Sequence, residues 1–272
     1  MNANNILHDL NPAQHDAVIH RDGPMLVVAG AGSGKTRGLT HRIAHLIQED
    51  NVNPFQILAI TFTNKAAQEM KDRVAALVGP VAEKMWVSTF HSACVRILRR
   101  DAEQLGYPSA FSIYDQADAT RLTGYVVRDL GLDNKKFVAR SVHAHISNLK
   151  NELISTDTAL ERADGIFDRK VAEIYNEYQR RLRTAGAMDF DDLLTVTVEL
   201  FNNYPEALKL YQERFQHVLV DEYQDTNPAQ NDIVLKLGDR HRNVFVVGDS
   251  DQSVYALSLI HISAPTRLGM LS

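Results

Sequence analysis

Short, continuous apolar runs alternate along this chain with longer amphipathic stretches. The runs are Met25 to Ala29, Ile57 to Phe62, Met85 to Thr89, Val218 to Val220 and Val244 to Val247. They lack the every-other-residue polarity of a half-exposed strand, which suits strands buried on both faces. Gly23-Pro24 and Asn53-Pro54 punctuate the starts of the first two. Between the runs the period changes. Asn64 to Val78 places Ala67, Met70, Val74 and Leu77 on one helical face, with Lys65, Gln68, Lys71 and Asp72 elsewhere. Pro228 suits the first turn of a helix that stops at Gly238. Strands alternating with such helices predict an α/β fold, a parallel sheet covered by helices.

The middle of the chain is different. From about Gly106 to Gly186 the pattern is helical and no strand run stands out. Tyr114 to Leu130, Ser141 to Leu149 and Asp168 to Leu182 read as amphipathic helices separated by Gly and Asn/Asp punctuation. The expected division is a first part of the α/β domain over 1–105, an all-helical insertion over 106–187, and the second part of the domain over 188–255. A plain extension of the same core is the alternative reading of the middle.

Composition narrows the classes. Hydrophobic residues are 44% and charged residues 23%, which excludes disordered, collagen-like and coiled-coil chains. No run approaches the roughly 18 apolar residues of a membrane span. The N-terminal segment MNANNILHDLNPAQHDAV has no apolar signal-peptide core, so the chain reads as cytosolic. The single cysteine, Cys94, excludes an internal disulfide framework and a multi-cysteine zinc site. The net charge of −5 disfavours a histone-like DNA coat but leaves room for a local basic groove.

The chemistry concentrates at two strand ends. Ala29-Gly30-Ala31-Gly32-Ser33-Gly34-Lys35-Thr36 directly follows the first strand and opens a helix. Glycines let the backbone curl so that its N–H groups face an anion, and the helix start adds partial positive charge. Lys35 is then expected to reach the β/γ-phosphates and the Thr36 hydroxyl to ligate Mg²⁺. Ala29 stands where the P-loop pattern usually has its first Gly. Val218-Leu219-Val220-Asp221-Glu222 supplies the second site, a buried strand ending in two acids. Asp221 is expected to hold the metal. Glu222, next along and pointing the other way, is expected to orient or deprotonate the attacking water. An acidic strand-end loop would be the reading of that pair without the P-loop. The last run leads into Gly248-Asp249-Ser250-Asp251-Gln252, whose amide at a strand's C-terminal end is a candidate γ-phosphate contact, although Gly-Asp also marks ordinary turns.

Seven ordered blocks carry a resemblance. They are Leu10-Asn11-Pro12-Ala13-Gln14; the Ala29 to Thr36 loop; Thr61-Phe62-Thr63-Asn64-Lys65-Ala66-Ala67; Val87-Ser88-Thr89-Phe90-His91; Met188-Asp189-Phe190-Asp191-Asp192-Leu193-Leu194; Val220 to Asn227 (VDEYQDTN); and Val247 to Tyr255 (VGDSDQSVY). In these the chain resembles the N-terminal motor domain of the UvrD/PcrA/Rep group of superfamily 1 DNA helicases. The resemblance implies a RecA-like P-loop NTPase fold using ATP and Mg²⁺. It implies that Gln14 reads adenine, that Arg37 lies beside the nucleotide, and that Gln252 couples the γ-phosphate to DNA contacts. Phe62, Thr63, Asn64, His91 and Tyr255 match the family's single-strand DNA surface, and the helical insertion matches an accessory subdomain that touches duplex DNA at single-strand/double-strand junctions. It also implies a second motor domain, absent from this chain, and 3′→5′ translocation coupled to unwinding in repair or replication. Physical chemistry fits these assignments: stacking on Phe62 and Tyr255 is sequence-tolerant, worth roughly 1–3 kcal/mol per base, and Thr63 and Asn64 can donate to phosphates.

Several residues admit other readings. Arg96, Arg99 and Arg100, and Arg180, Arg181 and Arg183, are local basic patches or, more commonly for a charge run, solvated helix faces. His91 and Cys94 lack the third orienting group that a nucleophilic pair needs. His41/His45 and His143/His145 have metal-like spacings with nothing to complete a zinc set. Trp86 reads as core. After Tyr255 the family pattern expects an aromatic and then Arg-Gly-Ala, where this chain has ALSLIHI and then SAPTRLGMLS, so 256–272 reads as frameshifted or read-through sequence. A RecB/AddA-type helicase–nuclease motor and a non-catalytic ATP-dependent DNA-binding module are the competing functional readings. The compact spacing of about 100 residues between Phe90 and Asp189 favours the first family over the larger helicase–nucleases.

Overall fold

The computed structural model describes residues 6–8, 10–21, 23–30, 34–249 and 266–271, the last stretch and Ala29 as backbone only. In chain order the elements are α1 (Pro12–Ile19), β1 (Met25–Ala29), α2 (Lys35–Gln48), β2 (Ile57–Thr61), α3 (Asn64–Val78), β3 (Trp86–Thr89) and α4 (Phe90–Asp101). Then come β4 (Ser112–Tyr114), α5 (Gln116–Asp129), α6 (Ala139–Asn151), α7 (Thr156–Glu161), α8 (Ile166–Thr184), β5 (Ala187–Asp189) and α9 (Phe190–Asn203). The series closes with α10 (Pro205–Arg214), β6 (His217–Val220), α11 (Pro228–Gly238), β7 (Val244–Asp249) and β8 (Thr266–Leu271). They fall into two compact units, one of 1–90, 208–226 and 234–272, the other of 91–207 and 227–233.

The first unit is built on a sheet of order β3-β2-β6-β7-β1-β8, with every pairing parallel. Each apolar run of the sequence is one of its strands. β2 and β7 are buried along their whole length, as unalternating runs should be when helices cover both faces. Leu39, Ile43 and Leu46 of α2 and Met70 and Val74 of α3 pack with Ile57, Ala59, Leu219, Phe245 and Val247 into one core. On α3, Ala67, Met70 and Val74 are buried and Leu77 is half-buried. This is a RecA-like arrangement, and because all strands run the same way, their C-terminal ends share one edge.

The second unit is helical around a core of Val126, Val127, Val142, Ile146, Ile174, Tyr178 and Leu182. Besides the segment 106–187 it takes in most of α4, and α9. One feature departs from the strand-free reading of this region: β4 pairs in parallel with β5, Ser112 to Ala187 through Tyr114 to Asp189. β4 is three residues long with Ser112 and Ile113 exposed, too short and too open to carry a hydrophobic pattern. Its neighbour β5 leads into α9 through a buried polar cluster. Lys150, 1% exposed, donates to Asp189 at 2.7 Å and to Asp192 at 2.8 Å. Tyr178 donates to Asp189 at 2.7 Å, Gln179 donates to Asp192 at 2.9 Å, and Asp189 and Asp192 cap the helix reciprocally. The block MDFDDLL is thus, in its acids, a helix start welded to a buried lysine.

Candidate nucleotide and DNA site

Three neighbouring strands of the first unit, β6, β7 and β1, end side by side. Open parallel sheets bind ligands beyond the carboxyl ends of their strands, and the sequence puts its polar chemistry there. β1 runs into Gly30 and, past the loop, into Gly34, which is the N-cap of α2 and has φ +82°. That left-handed conformation favours glycine. A Cβ at Gly34 would also meet the Gln14 Nε2 at 2.8 Å. Gln14 is itself fixed: its Oε1 accepts the Asn11 N–H at 3.1 Å while the Asn11 side chain accepts the Gln14 N–H at 2.8 Å, a reciprocal cap on α1. Its amide nitrogen is thereby presented to the phosphate-loop glycine.

The first turn of α2 aims Lys35 and Thr36 at the other two strand ends. Lys35 Nζ donates to Asp249 Oδ2 at 3.0 Å and lies 3.9 Å from Glu222 Oε2. The Thr36 hydroxyl donates to Asp221 Oδ2 at 3.2 Å. Burial, and then the neighbouring Glu222 charge, push the Asp221 carboxyl above the usual carboxylate range. A buried acid held there by a second negative charge is a place that gains from a cation. Thr36 and Asp221 offer a hydroxyl and a carboxylate oxygen, the hard donors that Mg²⁺ prefers, and a magnesium ion ordinarily completes its shell with water and phosphate oxygens. Glu222 adopts φ +50°, a left-handed conformation uncommon for a non-glycine residue. Its N–H donates to Asp221 Oδ1 at 3.0 Å, its Oε2 accepts from Gln224 Nε2 at 2.7 Å, and Gln224 Oε1 accepts the Asp249 N–H at 2.9 Å.

The structure therefore brings together Gln14, Gly34, Lys35, Thr36, Asp221 and Glu222. Arg37 is exposed on the first turn of α2. Ala31, Gly32, Ser33, Gln252 and Tyr255 lie outside the described residues. Along the same sheet edge, β2 is followed by half-buried Phe62, whose ring meets Phe90 edge-on at 5.7 Å. Thr63 is exposed and caps α3, its hydroxyl oxygen accepting the Ala66 N–H at 3.1 Å, and Asn64 is exposed beside it. In the second unit His91 meets Phe190 edge-on at 5.7 Å, and burial, opposed by Asp191, lowers the imidazole pKa. Sequence reasoning gave no role to three residues that stand beside these candidates. Asp249 and Gln224 stood inside quoted blocks with no role, because their role is a contact across strands. Phe190 is 50% exposed although Asp192, Leu193 and Leu194 of α9 are buried, and an aromatic at a helix start between acids was its only signal.

The remaining candidates resolve into structure. Cys94 is buried against Thr197, and burial pushes its thiol up to about 12. Arg180 and Arg181 both bind Glu177, Arg181 also binds Asp129 at 2.9 Å, and Arg183 lies over the Tyr107 ring. Arg96, Arg99 and Arg100 are all exposed; Arg99 donates to the carbonyls of Ser109 and Phe111, and Arg100 lies 3.9 Å from Asp101. His45 is buried 3.8 Å from Asp50, and His143 is buried beside Thr123. Trp86 is core, its ring 4.9 Å from Phe215. No helix among the described residues is long and apolar enough to cross a membrane.

Comparison with known proteins agrees with this geometry. Residues 10–263 match the model of the UvrD/REP helicase N-terminal domain. The chain is 51% identical over 253 residues to a protein of Bacillus subtilis (strain 168) named ATP-dependent DNA helicase PcrA, covering 93% of this chain and 34% of that protein. The proteins of the same name from Staphylococcus aureus (strain Mu50) and Staphylococcus epidermidis are 51% and 50% identical, with 34% and 35% of their lengths covered. The chain thus spans about a third of the length of the curated relatives it matches. A family match over nearly the whole chain, with the P-loop lysine, threonine and paired acids assembled at one sheet edge, makes this chain a member of the UvrD/REP helicase N-terminal domain family.

Proposed function

We propose that this chain is the first motor domain of an ATP-dependent 3′→5′ DNA helicase of the bacterial cytoplasm, acting in DNA repair or replication. The observation that carries the reading is the meeting of Lys35, Thr36, Asp221 and Glu222 at the ends of adjacent parallel strands. The phosphate loop from Ala29 to Thr36 cradles the triphosphate with backbone N–H groups, Gln14 faces the adenine and Arg37 flanks the nucleotide. Thr36 and Asp221 would hold Mg²⁺, which would supply charge neutralisation at the phosphates. Lys35 leaves Asp249 for the β/γ-phosphate oxygens. Glu222 takes a proton from the attacking water as its oxygen bonds to the γ-phosphorus. The bond from the γ-phosphorus to the bridging oxygen breaks, and that electron pair departs on ADP. Gln252 senses the γ-phosphate. A complete Lys35, Asp221 and Glu222 set weighs against a non-catalytic module.

Single-stranded DNA lies on Phe62, Thr63, Asn64, His91 and Tyr255, with exposed Phe190 beside His91 as a further stacking surface. The contacts are ring faces and phosphate donors, so binding is sequence-tolerant. The helical segment 106–187 serves as the accessory insertion that meets duplex DNA. Measuring ATP turnover by the full-length parent with and without single-stranded DNA tests the reading. Turnover is expected to rise with DNA, and Glu222→Gln to lower it about 100-fold or more while nucleotide still binds. Turnover indifferent to DNA would defeat the helicase assignment.

A further inference from the structure

Gln224 is assigned no contact with nucleotide, metal or water in this scheme, yet its amide spans two of the strand ends that carry the reacting groups. Its Nε2 donates to Glu222 Oε2 at 2.7 Å and its Oε1 accepts the Asp249 N–H at 2.9 Å. The orientation of the amide is dictated by its partners, because a carboxylate only accepts and a backbone N–H only donates. The short turn Tyr223–Asp225 that carries Gln224 is anchored without it. Tyr223 is 2% exposed, its carbonyl accepts from the Thr226 hydroxyl at 2.7 Å, and the Asp225 N–H donates to the Glu222 carbonyl at 3.0 Å. Glu222 needs a restraint, since its side chain is 40% exposed and the Lys35 ammonium is 3.9 Å from the same Oε2. A carboxylate with only that attractor closes onto the lysine. There it would neutralise the group meant for phosphate and turn its lone pairs away from the water.

We propose that Gln224 is a positioning residue for Glu222: it holds the carboxylate off Lys35 and ties its direction to the end of β7 through the Asp249 backbone. The inference rests on the reading of Glu222 as the group that takes the water's proton.

Gln224→Glu separates the two halves of the contact, since it keeps an acceptor for the Asp249 N–H and replaces the donor to Glu222 with a repelling carboxylate. In the full-length parent, DNA-stimulated kcat is expected to fall about 10- to 100-fold in both Gln224→Ala and Gln224→Glu, with KM for ATP within about twofold of wild type. In a Glu222→Gln background, adding Gln224→Ala is expected to change the residual rate less than about twofold, because the group it acts through is already gone. Wild-type kcat in Gln224→Glu, or a full multiplicative loss in the Glu222→Gln background, would overturn the proposal and assign Gln224 to the fold alone. Failure of the underlying reading looks different: Glu222→Gln itself would keep wild-type turnover.

Discussion

At Gly34 two constraints coincide, a left-handed φ of +82° and the Gln14 amide 2.8 Å from where a Cβ would stand. Gly34→Ala is therefore expected to cost about 1–2 kcal/mol of stability from the backbone alone. It should also displace Gln14, weakening nucleotide binding more than the stability loss accounts for; a urea midpoint and a nucleotide titration on the same variant separate the two effects. His217, at the start of β6, gives a pH dependence. Burial first, then Arg42 and His241, lower its imidazole to about 4 from 6.5, with Asp50 opposing. The folded chain thus refuses a proton that the unfolded chain accepts, so this contribution to stability is complete above about pH 6.5 and is lost as pH falls toward 4. At about 1.4 kcal/mol per unit the interval is worth about 3 kcal/mol, and about 2 kcal/mol after allowance for partial exposure. Burial lowers His45, His91 and His143 in the same direction. Replacing His217 with Gln is expected to flatten, without abolishing, the decline of the urea midpoint between pH 6.5 and 4; an unchanged slope would place the titration elsewhere.

Among the elements, the strands of the large sheet were legible because each is an unbroken apolar run, and α3 because its face repeats at helical spacing. What was not legible is held by contacts distant in sequence. β4 is recognisable only by its pairing with β5. The acids of MDFDDLL become intelligible only when Lys150 arrives from α6, 39 residues before Asp189 in sequence. In that cluster Asp189 and Asp192 are buried with a single ammonium between them. Burial alone would depress Lys150, but the two carboxylates outweigh it and raise its pKa. Removing the cation leaves two uncompensated acids, so Lys150→Met is expected to cost about 3–5 kcal/mol. Lys150→Met combined with Asp189→Asn and Asp192→Asn should recover part of that loss. Far-UV circular dichroism melts of the two variants check the order; equal stability of Lys150→Met and wild type would show that the cluster contributes no net energy. Gly238 ends α11 where a Cβ would overlap Val244 of β7, so Gly238→Ala is expected to destabilise by about 1–3 kcal/mol, a sum the helix-stop pattern at Gly238 did not reveal.

For the whole molecule the question is what one motor domain does by itself. The net charge of −5 gives no overall attraction to DNA, so binding must come from a local surface of rings and donors and should be weak and salt-sensitive. The nucleotide half-site is more complete, since Lys35, Thr36, Asp221 and Glu222 face one another. MgATP at about 100 times its dissociation constant is expected to stabilise the chain by about 2.7 kcal/mol. Lys35→Ala should lose most of that increment and Glu222→Gln should keep it, because the role proposed for the first is a phosphate contact and that for the second is proton acceptance. Turnover is another matter. In phosphoryl transfer an arginine supplied across an interface contributes roughly 10³–10⁵ in rate, and the curated relatives are about three times as long as this chain. On that proposal the 272 residues alone are expected to bind MgATP and single strands with slow hydrolysis and no strand separation, and the longer helicase proposed above is expected to unwind duplexes bearing a 3′ single-stranded tail. A fluorescence unwinding assay on both proteins decides it: robust separation by the short chain would mean that one sheet edge both grips and advances, and the division of labour proposed here would fail.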